Sequence, residues 1–313
     1  MIEPLRLSPE YRDYVWGGDK LRPGISPTAE AWVVYEKDLA ASGVFAGRSL
    51  ADLALEFGPR LLGERVTRLT GSRFPLLVKI LDCAQWLSVQ VHPNDEQAQR
   101  LEGEGYFGKT EAWHVLEAEP GAELIAGMQP GVTAESLRQS IIDGTVTSLS
   151  QYQGVQPGQT IFIRPGTIHA LGPGLLIYEV QQTSDLTYRV FDWGRPQTEK
   201  RKLHIEKSLE VTDPLASARA IPYPKLADGG QQLLTQCEYF SLSLMEAENN
   251  PIQLNTAGQT FHAVTVIEGS ARVKTDSGSV DLNRFETVLI PAECGAYEIQ
   301  PLGAFRALRS SVE

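Results

Sequence analysis

With 313 residues, 42% of them hydrophobic and 21% charged, the chain has an ordinary globular composition and is longer than one typical core, so two domains, or one with a satellite, are expected. A formal net charge of −11 disfavours nucleic acid or an anionic membrane surface as a partner, and the longest apolar runs fall well short of the roughly 18 residues that span a bilayer. Met1–Arg6 forms no charged-then-apolar leader, and Cys83, Cys237 and Cys294 are scattered and odd in number; both point to the cytoplasm and against a disulfide frame, a thiolate zinc site or a redox pair.

Along the chain, Ser49 reads as the N-cap of a helix striped by Leu50, Leu53, Ala54 and Phe57 and ended by Gly58-Pro59. Strands are expected over 74–82 and 86–92, followed by a helix capped at Asn94 that carries Ala98 and Leu101. Further strands fall at 111–117 and 123–127, then a helix over 133–143 with Leu137 and Ile141 one turn apart. Strands at 160–164, 175–181 and 187–192 precede a fourth helix over 204–211. Pro214, Pro222, Pro224, Gly229 and Gly230 make 213–230 read as a linker, with new strands beyond it at 263–269 and 287–291.

Many short strands separated by Gly, Pro and Asp favour antiparallel sandwiches or barrels. A strand, a turn, a strand and an apolar run ending in proline recur around 155–165 and 263–291. The expected fold is therefore mainly β: two cupin-like jelly-roll barrels, the first (1–212) with helical insertions and the candidate site. The second (231–313), with only His262, is expected to be structural and without a metal site.

The most informative stretch is Leu87-Ser88-Val89-Gln90-Val91-His92-Pro93. On a strand it puts Ser88, Gln90 and His92 on one face and Leu87, Val89 and Val91 on the other. Such a polar face is costly to bury without hydrogen-bond partners or a metal, so Gln90 and His92 look like half of a metal site. His169 follows the Pro165-Gly166 turn, and Glu111 opens a strand two residues after Lys109. Gln90, His92, Glu111 and His169 form a nitrogen and oxygen set that suits Zn²⁺ with an open position; Mn²⁺, Co²⁺ or Fe²⁺ would also fit.

The bland readings are a core histidine and a weak surface ion pair between Lys109 and Glu111. The set as a whole outweighs them. His114 should point away from Glu111, and His114, His204 and His262 are assigned structural roles. Glu179, in an otherwise apolar strand, should be paired with a cation or placed for proton transfer. Lys109, Arg164, Arg189, Arg195 and Lys200-Arg201-Lys202 supply positive charge near the site, the last run being read as a solvated turn. Gly103–Gly108 matches G-x-G-x-x-G but follows a charged helix and opens none, which rejects a dinucleotide loop.

Gln90-Val91-His92-Pro93, Gly108-Lys109-Thr110-Glu111, Pro165-Gly166-Thr167-Ile168-His169-Ala170 and the Ser184-Asp185 to Arg189 segment, in that order, resemble type I mannose-6-phosphate isomerase. Tyr14-Val15-Trp16-Gly17-Gly18 and Glu30-Ala31-Trp32-Val33-Val34 are similar to its amino-terminal part, and the region after 212 to the second barrel of the shorter bacterial members. The resemblance implies an aldose–ketose isomerase, with one Zn²⁺ per chain, interconverting mannose 6-phosphate and fructose 6-phosphate through a cis-enediol(ate). It implies that Gln90, His92, Glu111 and His169 hold zinc, Gln90 most weakly. Lys109 and Arg189 would meet developing charge or the phosphate, Asp185 would orient Arg189, and Ser88 would line the sugar pocket. Glu179 is the candidate base if burial raises its pKa. A phosphorylated hexose is the expected partner and a monomer or homodimer the expected state. The residues themselves leave open another cupin metalloenzyme, either a phosphoglucose-type isomerase or a dioxygenase, and a non-catalytic sugar-binding protein.

Overall fold

A computed structural model describes residues 1–313 apart from Ser26 and Pro224, with the side chain of Lys200 also outside the described set. The Pro224 of the expected linker therefore lies outside the described residues, while the backbone at Lys200 forms a 3-10 turn, Glu199–Arg201. The chain is mainly β and antiparallel and forms two compact units. One unit, here the site unit, comprises Arg12–Glu30 and Leu81–Pro222; the other comprises Met1–Tyr11, Ala31–Ile80 and Tyr223–Glu313.

In the site unit, four consecutive strands of one sheet are Ile221–Pro222, Gln159–Ile163, Glu111–Ala118 and Leu175–Gln182. A five-stranded sheet runs Tyr188–Phe191, Val89–Val91, His169–Leu171, Glu123–Met128 and Ser150–Gly154. Trp113, Val115, Ile161, Ile163 and Ile177 from the first sheet share an apolar cluster with Leu124, Ala126 and Leu171 from the second. These are the facing surfaces, and each large aliphatic side chain buried there contributes about 1.5–3 kcal/mol. On the back of the five-stranded sheet, Val89, Val91, Ile125, Ala170, Tyr188 and Val190 pack with Leu137 and Ile141 of helix Ala134–Ile142 and Val211 of helix Ile205–Val211. Strand alternation then turns Gln90, His169 and Arg189 toward the facing surface.

Helices start where local chemistry asks. Ser49 accepts the Asp52 amide before Leu50–Phe57. Asn94 and Gln97 form a reciprocal capping box before Asp95–Glu102, and Thr133 and Ser136 do the same before Ala134–Ile142. Two helices escape the sequence reading, Pro59–Leu62 and Glu64–Thr70. Gly58-Pro59 ends one helix and begins the next, because proline is well suited to the first helical position.

The 213–230 segment is not a free linker. The Asp213 amide donates to the Gly166 carbonyl, the Ala218 amide to the Ala126 carbonyl, and Ile221–Pro222 pairs with Gln159 and Thr160. The division into units is also discontinuous in sequence, unlike the expected 1–212 and 231–313. Its cause is long-range pairing: Leu5 and Arg6 lie opposite Leu289 and Val288, so the first strand joins the carboxyl-terminal unit.

That second unit has a seven-stranded sheet, including His262–Glu268, Thr287–Ile290 and Phe305–Ser311, and a four-stranded sheet. Val264, Val266, Val288, Ala307, Val273 and Ile299 meet between them. His262 lies on this inner face with its Nδ1 2.8 Å from the Tyr297 hydroxyl. Among the described residues no helix is long and apolar enough to cross a membrane.

Candidate metal centre

The apolar lining of the site unit stops where a polar set begins. Along Glu111–Ala118 the inner positions read Val115, Trp113, Glu111; along Leu175–Gln182 they read Ile177, Glu179, Gln181; along His169–Leu171 they read Leu171, His169. Register fixes the neighbours: His169 lies opposite Gln90, Gln90 opposite Arg189, and Glu111 opposite Gln181. Side chains directly across a strand pair share a face, so two rows of polar groups look into one interior.

His92, Glu111 and His169 offer donor atoms that all lie within 4.8 Å of one another, and all three residues are buried. Glu111 Oε1 is 3.2 Å from His92 Nε2 and 2.7 Å from Lys109 Nζ, while Oε2 is 3.6 Å from His169 Nε2. Only the Lys109 contact joins two charges, and none of the three is an aligned hydrogen bond. Both nitrogens of His92, both oxygens of Glu111 and His169 Nε2 remain buried without a hydrogen bond. Several unbonded polar atoms converging in one buried interior carry a cost of about 1–3 kcal/mol each, which a bound cation would offset.

The protonation states suit a metal. Burial, with the Lys109 charge second, pushes His92 down to about 3, and burial also lowers His169, so both imidazoles are neutral at pH 7. Burial alone would raise Glu111, but Lys109 and then His92 outweigh it and hold the carboxyl well below its usual range. His169 Nδ1 lies 2.8 Å from the Thr167 carbonyl. As the donor of that bond, Nδ1 keeps its proton and leaves the Nε2 lone pair facing Glu111. Two neutral imidazoles, one carboxylate and the Gln90 amide beside His169 fit a zinc-type site with an open position.

The other expected site residues divide. Lys109 is 3% exposed, so its pair with Glu111 is a buried one and not the weak surface pair of the bland reading. Arg189 faces inward next to Gln90. Glu179 is buried and accepts the Trp113 indole N–H at 2.9 Å; the Trp113 ring stands edge-on to His169 at 5.4 Å. Asp185, by contrast, is exposed and makes no ion pair with Arg189. Arg189 Nη1 instead donates to the Lys202 carbonyl at 3.1 Å, because the chain after Arg189 folds back beside it.

Ser88 is buried, but the alternation does not reach it. Leu87 joins the inner cluster while Val89 joins the outer one, so Ser88 does not keep the expected place beside Gln90. The cause is local, since the Leu87 amide is drawn to the Leu171 carbonyl and its carbonyl takes the Trp193 indole N–H. His114 lies on the opposite face with Nδ1 3.0 Å from Thr160 Oγ1, as expected. Arg201 is no solvated turn residue, since it grips Asp192 through both Nε and Nη2.

Sequence reading missed Gln181. It is fully buried opposite Glu111, its Nε2 donates to the Gln182 and Ser184 carbonyls, and its Oε1 accepts nothing. The signal was an amide in a run of apolar residues, the same kind of signal that marked Gln90.

A family model described as the catalytic domain of type I phosphomannose isomerase matches residues 5–112, and one for the cupin domain of mannose-6-phosphate isomerase matches 231–312. The chain is 34% identical to the probable mannose-6-phosphate isomerase GmuF of Bacillus subtilis, over 96% of this chain and 97% of that one. It belongs to the type I phosphomannose isomerase family. It is thus an isomerase, and its carboxyl-terminal region is a cupin domain.

Among solved structures, the mannose 6-phosphate isomerase of Bacillus subtilis is similar with a TM-score of 0.87 at 29% identity, covering 99% of each chain. A zinc-bound mannose 6-phosphate isomerase shares the fold at a TM-score of 0.79 and 17% identity, covering 100% of each chain.

Proposed function

We propose that the protein interconverts mannose 6-phosphate and fructose 6-phosphate, with zinc held by His92, Glu111, His169 and, more weakly, Gln90. The observation that carries this reading is the convergence of buried, unbonded donor atoms of His92, Glu111 and His169 beside the buried cation Lys109. Family membership supplies the substrate class, and a zinc-bound relative of the same fold supports the metal. When bound, the metal would act as a Lewis acid that polarises the sugar's carbonyl and hydroxyl oxygens.

The remaining work falls to side chains. Isomerisation of the open-chain sugar moves one proton between C1 and C2 and another between their oxygens through a cis-enediol, with charge developing on those oxygens. Lys109 and Arg189 place cations on the interior face where that charge develops, and in a water-poor site such contacts count for far more than in water. They also give a local positive field for the phosphorylated substrate on a protein of net charge −11. Glu179 stands on the same face as Glu111, one diagonal step away across the strand pair, and is assigned the proton transfer between the two carbons. Its bond to Trp113 fixes the carboxylate and braces the ring against His169.

The test is fructose 6-phosphate production from mannose 6-phosphate before and after chelation, with zinc restored. Loss and recovery are expected; absence of turnover in the zinc-replete protein would reject the reaction. Glu179→Gln is expected to lower kcat by at least about 100-fold, in line with loss of general acid–base catalysis. It should also abolish solvent hydrogen exchange at C2, while zinc content stays at the wild-type level.

A further inference from the structure

The segment that follows Arg189 is tied down at an aspartate that no expectation assigned. Asp192 is 4% exposed and lies just after the strand that carries Arg189. Arg201 closes on it as a fork, with Nε 3.0 Å from Oδ2 and Nη2 2.6 Å from Oδ1. Arg195 adds a contact from Nη1 to Oδ1 at 3.1 Å, while its Nη2 reaches the Trp86 carbonyl at 2.9 Å and Gln85 Oε1 at 3.1 Å. The loop between Asp192 and Arg201 is therefore tied both to itself and to the approach of the strand bearing Gln90.

Lys202 follows Arg201, and its carbonyl takes the bond from Arg189 Nη1 at 3.1 Å. His204 completes the clasp: its amide donates to the Arg189 carbonyl at 2.8 Å, and its Nδ1 accepts the Arg189 amide at 3.2 Å. Among the described residues no carboxylate forms an ion pair with the Arg189 guanidinium itself, and its Nε is buried without a hydrogen bond. One nitrogen is anchored, and Arg189 stands opposite Gln90 on the strand face that looks inward.

We propose that Asp192 is a positioning residue, gripping Arg201 so that the Lys202 carbonyl holds the Arg189 guanidinium toward the metal centre. A planar guanidinium on a carboxylate fixes direction as well as distance, which a lysine on the same carboxylate would not. The inference rests on the proposed isomerase reading, in which Arg189 meets the sugar phosphate.

Wild-type turnover of mannose 6-phosphate is measured first, and its absence would sink the function rather than this inference. With turnover present, kcat and KM are compared for Asp192→Asn, Arg189→Lys and the double variant, with zinc content and thermal midpoint recorded for each. Asp192→Asn is expected to lower kcat/KM by about 10- to 100-fold, the range that small misplacement of a reacting group produces. In the Arg189→Lys background the same change should cost no more than about twofold, since coupled residues are not additive. Equal losses in both backgrounds, or no loss in the wild-type background, overturn the proposal. Should Asp192→Asn not fold, Arg201→Lys keeps the charge but loses the fork, and the same non-additivity is required of it.

Discussion

Lys109 and Glu111 show why the centre needs both charges. The pair is buried at 2.7 Å, and a carboxylate left there alone would lack any compensating cation. In the metal-free protein, Lys109→Met is expected to cost about 3–5 kcal/mol, the usual penalty for breaking a buried pair from one side. Added zinc should recover a good part of it, which urea unfolding with and without the metal would read. Equal cost in both states would mean that the metal does not sit on Glu111. At His169 the expectation is simpler: His169→Ala should weaken zinc binding by at least about 100-fold in chelator competition, more than a lost outer partner would.

Residue chemistry was legible wherever a polar group interrupted an apolar strand. Gln90, His92 and Glu179 stand out that way, while His169 is marked by the turn before it and Glu111 by Lys109 two residues earlier; all five are found on the inner face of the site unit. Asp185, which the resemblance set to orient Arg189, is exposed and forms no ion pair with it. The carboxylate that reaches the loop holding Arg189 is Asp192, through a fold-back at Arg201 that no local pattern announces.

Among the elements, helix Asp95–Glu102 does more than cover apolar surface. Its Asp95 Oδ1 takes the Gly108 amide at 2.7 Å and Gln182 Nε2 at 3.0 Å, and Gln182 Oε1 takes the Thr110 amide at 2.9 Å. The first turn of the helix thereby fixes the approach to Lys109 and Glu111. Removing its cap by Asn94→Ala is expected to cost about 1 kcal/mol in chemical denaturation, and the loss should appear as a modest rise in KM as well.

Helix starts could be read because capping is local, spanning three residues from Asn94 to Gln97 or Ser49 to Asp52. The pairing of Leu5 and Arg6 with Leu289 and Val288 could not, since nothing in either segment names its partner. Nor could the fate of 213–222 be read: its prolines suggested a linker, yet edge strands tolerate proline, and Pro222 sits opposite Gln159 at such an edge.

For the whole molecule, acidity and burial set the response to solution conditions. With a net charge of −11, attraction of a phosphorylated sugar depends on the local field of Lys109 and Arg189. KM should therefore rise several-fold from low salt to about 0.5 M, as screening shortens that field. Stability should respond to acid through His262, which burial, reinforced by the Arg309 charge, pushes down to about 3 from 6.5. A histidine depressed in the folded state is protonated first in the unfolded chain, so stability is full above about pH 6.5 and is lost as pH falls toward 3. Linkage gives a loss of about 2 kcal/mol at pH 5 from this group alone. His262→Gln, which keeps a partner for Tyr297, should remove that share of the slope between pH 7.5 and 5; an unchanged slope would contradict it.

A metal bound by His92, Glu111 and His169 is what would make this chain an isomerase of mannose 6-phosphate. The most direct test follows fructose 6-phosphate formation with zinc counted per chain, in the wild-type protein and in His169→Ala, before chelation, after it and after zinc is restored. The account predicts activity that tracks bound zinc in the wild type and is lost together with zinc in the variant. Full activity in zinc-free wild type, or in His169→Ala, would contradict it.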